Sequence, residues 1–186
     1  MATSFPFRFS AIVCLSTALL SGCCANDVCE CNDADADTVR FRFRYSADTT
    51  VAVNTFRPAD LDTITIERSP LPYDPKVKPE TVVLYRTPAQ ANDTLVTLVL
   101  NNNAPFAQKP NTKLNSYRYV VSYRKNPPVK GTPTTVLVID RVELSGTLDG
   151  DGCCTCYTNT RKAIYTNGNP VVRELQPGDV VEITKP

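Results

Sequence analysis

Apolar and polar residues alternate with period two along much of the chain, first and most strictly at residues 38–46. In TVRFRFRYS, Val39, Phe41, Phe43 and Tyr45 alternate with Arg40, Arg42 and Arg44, the pattern of a strand with one buried and one wet face. Further β-branched or aromatic runs follow at 62–68, 80–86, 93–100, 116–124, 134–146, 161–166, 170–175 and 179–184, bounded by Pro, Asn, Asp and Gly. No segment offers an apolar stripe at helical spacing over three turns. The pattern predicts an all-β fold, an antiparallel β-sandwich of about nine short strands, of which the immunoglobulin-like sandwich is one form. Asn167-Gly168 suits the two positive-φ positions of a type I′ hairpin, and Gln176-Pro177-Gly178-Asp179 suits a type II turn. The last three runs are therefore expected to form a meander. Long proline-rich connections are expected at 69–79, 101–113 and 125–133, and DGDGCCTCY (149–157) reads as a turn-rich segment between the sixth and seventh runs.

The N-terminus follows a different rule. MATSFPFR carries one charged side chain, Arg8, and FSAIVCLSTALL then runs apolar from Phe9 to Leu20. This is shorter than the roughly 20 residues a permanent transmembrane helix needs and suits the apolar region of a signal peptide. Leu20-Ser21-Gly22-Cys23 resembles the bacterial lipobox. That resemblance implies a diacylglycerol thioether on Cys23, cleavage before it, and acylation of the new amine. Two or more acyl chains anchor a protein stably without spanning the membrane. The expected organisation is a signal peptide at 1–22, an acidic cysteine-containing tether at 23–37 and one β-sandwich domain at 38–186.

Three stretches are similar to small envelope lipoproteins of the Bacteroidetes type: LLSGCC, FRFRYS with ADLDTITIER, and VELSGTLDGDGCCTCYTNTRK. The likeness implies an envelope-anchored β-domain and brings no established activity. Cys24, following the anchor, is not the aspartate that marks inner-membrane retention, so the expected destination is the outer membrane.

Composition narrows the function classes. Twenty Lys+Arg against 19 Asp+Glu leave a net charge near zero, with no long-range pull towards nucleic acid. The chain has no histidine, which excludes Ser-His-Asp and Cys-His catalysis and histidine-ligated zinc. A non-enzymatic binding or structural role at the envelope is the expectation.

Of eight cysteines, Cys14 leaves with the signal peptide and Cys23 takes lipid. The remainder form two clusters, Cys24, Cys29 and Cys31, then Cys153, Cys154 and Cys156. Neighbouring cysteines bridge poorly, because a disulfide needs Cα atoms about 4.4–6.8 Å apart. Disulfides between the clusters are therefore expected, the first closing a loop of about 120 residues and contributing about 4–5 kcal/mol in the chain-entropy model. The alternative is a metal or thiol-redox role, with zinc or copper on the same six thiolates. Otherwise no cofactor is expected.

Other constellations have bland readings. Asp33, Asp35 and Asp37, and Asp149 and Asp151, lack the spacing of a calcium loop. Arg40, Arg42 and Arg44 suit the solvated face of a strand. Tyr117, Tyr119 and Tyr123 suit the core with their hydroxyls at its rim. Asp140 and Glu143 are the one carboxylate pair to inspect for a hydrolase, which needs two carboxylates facing one cleft.

Overall fold

The period-two pattern is realised as burial: Val39, Phe41 and Phe43 are at most 2% exposed, while Arg42 between them faces solvent. The computed structural model describes residues 36–46, 54–57, 60–85, 97–106, 113–124, 133–151, 154–168 and 172–186. Within them lie β1 (Val39–Phe43), β2 (Thr63–Pro70), β3 (Glu80–Tyr85), β4 (Thr97–Leu100) and β5 (Tyr117–Arg124). The later strands are β6 (Thr134–Asp151), β7 (Cys154–Thr166), β8 (Val172–Glu174) and β9 (Val180–Ile183). A 3₁₀ turn at Leu114–Ser116 leads into β5. No helix among the described residues is long and apolar enough to cross a membrane.

The strands form two sheets, ordered β4-β1-β9 and β3-β2-β5-β6-β7-β8. This six-and-three division differs from the four-and-three of an immunoglobulin constant domain. The fold is an all-β sandwich: the inner faces of both sheets meet in one core. Phe41, Leu98 and Val181 come from the small sheet, and Ile66, Val121 and Ile139 from the large one. Burying such a side chain contributes roughly 1.5–3 kcal/mol. Phe56, fully buried, joins the layers. Its ring meets Phe43 of β1 edge-on at 5.1 Å and Tyr123 of β5 edge-on at 5.3 Å.

Two sequence expectations are corrected. The C-terminal meander stops after β8, which pairs with β7, because β9 crosses to the small sheet and lies parallel to β1, with Phe41 opposite Val181. The type II turn forms as read, with Gly178 at φ 86° and the Asp179 amide donating to the Gln176 carbonyl at 3.1 Å. Asn167 and Gly168 take the expected positive φ of 55° and 66°, but Tyr165 opposite Val172 is not the register of a two-residue hairpin there. Turn chemistry fixes a local bend and leaves open which sheet the chain enters next. The apolar residues of β9, Val181 and Ile183, are 4% and 3% exposed, a burial they gain on the small sheet.

The second correction concerns 149–157. Here β6 and β7 continue as a paired ribbon, with Gly146 opposite Asn159 and Asp151 opposite Cys154. Residues 145–150 are all exposed, so the ribbon projects as an arm beyond the sandwich. Gly150, which signals a turn here, sits within β6, as does Gly146, which has a steric reason. A Cβ there would lie 2.5 Å from Tyr157 Cζ and 2.6 Å from the Thr158 carbonyl oxygen. Glycine lets the Tyr157 ring lie across β6.

Candidate functional site

Tyr157 stands at the root of the arm and forms a wall of two clefts. The first, about 230 Å³, is lined by Tyr157, Asn159, Lys162, Glu174 and the turn after β8. The second, about 320 Å³, is lined by Tyr157, Asp37, Thr38 and Asn101–Asn103. Ala36, where the described chain begins, borders both.

Hydrogen bonds fix the segment between them. Lys162 is 6% exposed, and its Nζ donates to the Thr38 carbonyl at 2.7 Å. Asn159 Nδ2 donates to the Ala36 carbonyl. Asn102 Nδ2 donates to Asp37 Oδ2 at 2.9 Å, and Asn102 Oδ1 accepts from the Leu114 amide at 2.7 Å. Asn101 Oδ1 accepts from the amides of Asn103 and Ala104 at 2.8 Å and 2.6 Å, shaping the Asn-rich turn. Two buried oxygens then have no donor among the described residues: Asp37 Oδ1 and Asn159 Oδ1. Such an acceptor costs about 1–3 kcal/mol when unsatisfied, which makes it a marker of a missing partner.

Beside the first cleft, an ion ladder crosses three strands. Arg161 of β7 donates to Glu143 of β6 at 2.7 Å and to Glu174 of β8 at 3.0 and 2.7 Å. Arg141 lies 3.1 Å from Glu143 and 3.7 Å above the Tyr165 ring. The hydrogen bond from Arg161 holds the Glu143 carboxyl below its usual range, and the bonds to Glu174 and Glu143 hold the Arg161 guanidinium above its own. Since the folded value of Glu143 is depressed, its contribution is complete above the ordinary carboxylate range and is lost as pH falls through the lower folded value. Wild type should melt above Glu143→Gln at pH 7, with the difference shrinking as pH falls below the ordinary carboxylate range. A difference constant across that range would show that the ladder does not titrate this way.

The sequence-derived candidates scatter. Asp140 accepts from Arg118 Nε at 3.3 Å and from the Gly168 amide at 2.7 Å, so it is held separately from Glu143. Tyr119 and Tyr123 are buried in the core, and desolvation pushes the Tyr119 phenol above its usual value while its hydroxyl donates to the Leu114 carbonyl at 3.0 Å. Arg42 and Arg44 are exposed.

The expected disulfide staple is corrected. No Sγ–Sγ bond joins two cysteines among the described residues. Cys154 and Cys156 are half-buried on β7; each is in a bonded state whose partner is not another described cysteine. Two apart on one strand, they have Cα atoms about 6.6 Å apart and parallel side chains, at the far limit of disulfide reach. Cys23, Cys24, Cys29, Cys31 and Cys153 lie outside the described residues, as do the expected signal peptide and most of the expected tether. No group of three or more Cys, Asp or Glu among the described residues is arranged to hold a metal ion.

Sequence reasoning missed Tyr157, Asn159 and Lys162 as a group. Their run reads locally as a turn followed by a short strand, and nothing local marks a lysine whose amine meets a carbonyl more than a hundred residues away. The protein thus belongs to the all-β sandwiches, with a polar double cleft beside a projecting arm. Compared with protein-family models, curated proteins and solved structures, the chain finds no match.

Proposed function

We propose that this chain is a lipid-anchored domain of the bacterial cell envelope, at the outer membrane, acting as a non-catalytic binding module through the double cleft at Tyr157. The lipobox resemblance at Leu20-Ser21-Gly22-Cys23 supports the anchor. The lack of histidine and the separate engagement of Asp140 and Glu143 by Arg118 and Arg161 support a binding role over hydrolysis.

One observation carries the choice of site. Asp37 Oδ1 and Asn159 Oδ1, in clefts that share Tyr157 as a wall, are buried acceptors without a donor among the described residues. A fitting ligand presents hydrogen-bond donors, and an aromatic wall flanked by amides and hydroxyls suits a neutral polyhydroxylated molecule such as a saccharide. The clefts are at or below the small end of the roughly 300–1,000 Å³ typical of ligand pockets, so each accepts a sugar unit rather than a large cofactor.

The anchor is tested by radiolabelled palmitate incorporation into the full precursor and its Cys23→Ala variant; label retained in the variant refutes lipidation at Cys23. The cleft is tested by saturation-transfer NMR with maltotriose, cellotriose and chitotriose. At least one should bind, and Asn159→Leu should weaken that binding about tenfold, the effect of one hydrogen bond. Transfer to none of the three sugars, or transfer unchanged by Asn159→Leu, would refute the site.

A further inference from the structure

We infer that the loop at 71–79, between β2 and β3, is a membrane-contacting element that seats the domain on an anionic bilayer surface. The inference rests on the lipid-anchor reading.

The loop is held rigidly. Pro72, Pro75 and Pro79 limit its backbone. The Leu71 amide donates to the Ser116 carbonyl at 2.9 Å. Asp74 closes a turn, accepting from the Lys76 amide on its side chain at 2.9 Å and from the Val77 amide on its carbonyl at 3.1 Å. Despite this order the loop exposes apolar groups: Tyr73 is 49% and Val77 44% exposed. Arg118 stacks on Tyr73 at 4.7 Å, and exposed Lys76 and Lys78 flank Val77.

Position separates this loop from an ordinary surface loop with two apolar residues. A chain of hydrogen bonds connects it to the root of the tether: Asp37 to Asn102, Asn102 to Leu114, and, across the same 3₁₀ turn, Ser116 to Leu71. The tether therefore enters the sandwich at the end where this loop lies. About a dozen residues separate Cys23 from Ala36, and even fully extended such a stretch reaches no more than about 45 Å. A lipid on Cys23 thus keeps this end close to the headgroups.

The charges fit an anionic surface. Of the acids in and beside the loop, Asp74 is turned onto the Lys76 amide at 2.9 Å, Glu80 is engaged by Arg68 at 2.7 Å and Asp140 by Arg118 at 3.3 Å, while Lys76 and Lys78 are exposed. The tether itself carries Asp27, Glu30, Asp33 and Asp35, which an anionic surface repels, so the loop lysines supply the attraction. Tyrosine suits the interfacial zone, with an apolar ring and a polar tip.

The chain has no tryptophan, so Val77→Trp in the full lipidated protein gives a single reporter. The protein is reconstituted in phosphatidylcholine vesicles with and without phosphatidylglycerol, and flotation is measured beside Trp emission and quenching by brominated lipid. The expected result is flotation in both, with a blue-shifted and quenched Trp in the anionic vesicles. Adding Lys76→Glu and Lys78→Glu should reduce the bound fraction of the loop, about fivefold per lysine removed. A protein that floats with water-like, unquenched emission refutes the loop contact and leaves the anchor standing. A protein that fails to float refutes the anchor and the orientation with it. Blue-shifted emission that is the same without vesicles shows the loop covered by protein, and also refutes membrane contact.

Discussion

Phe56→Ala is expected to destabilise the sandwich by about 3–5 kcal/mol, the usual cost of truncating a buried phenylalanine. Phe56 is fully buried, and its ring touches one aromatic in each sheet, Phe43 and Tyr123. Edge-to-face pairs add about 0.5–1.5 kcal/mol each beyond area burial. The backbone at Phe56 is held independently, its amide donating to the Arg44 carbonyl at 2.8 Å and its carbonyl accepting from Ser46 at 3.0 Å. The substitution therefore leaves a hole between the layers rather than releasing the segment. Urea unfolding of both proteins measures it, and a loss below about 1.5 kcal/mol, the low end for one buried side chain, would mean that the layers repack without this ring.

Glu80→Gln should have the next largest effect, a loss of about 2–3 kcal/mol. Arg68 is 1% exposed, its guanidinium 4.3 Å above Phe106 and 4.6 Å above Tyr117. Nε and Nη2 donate to Glu80 Oε2 at 3.0 and 2.7 Å. Glutamine retains an acceptor and removes the countercharge, which leaves a buried cation facing a neutral amide. The estimate lies below the 3–5 kcal/mol of fully buried pairs because the Glu80 side chain is 39% exposed. Combining Glu80→Gln with Arg68→Met should recover most of the loss, since a buried ion pair is readily replaced by an apolar side chain of similar length. Thermal unfolding of the two single variants and the double variant tests both statements. A double variant no more stable than Glu80→Gln alone would show that the stacking of Arg68, and not its charge balance, carries the stability.

The fold was largely legible because burial and alternation are local. Residues 38–46 announce β1 by strict period two, and the run at 116–124 announces β5 within a residue of its start. Partner choice was less legible. Val181 and Ile183 fit the inner face of either sheet equally well by pattern, and only the full assembly decides that they lie beside β1. The arm was hidden because its glycines and aspartates are also turn formers, and a strand exposed on both faces at 145–150 has no apolar face to reveal its period. The cleft was least legible. It depends on Asp37, Asn102 and Asn159, far apart in sequence and ordinary in type, which converge only when the segment at 36–38 is laid across β7.

The pairing of β1 with β9 bears on the order of folding. Phe41 lies beside a residue about 140 positions later, while β2 and β3 pair directly across the loop at 71–79. Loop-closure entropy must be overcome before so distant a contact is rewarded, and folds rich in such contacts form slowly. The large sheet can begin to assemble from neighbouring hairpins as the chain emerges, yet the centre of the small sheet waits for β9. Until then β1, with Val39, Phe41 and Phe43 on one face, has β4 as its sheet neighbour on one side only and presents an open, adhesive edge on the other. The nascent protein is at greatest risk of aggregation just before its last strand arrives.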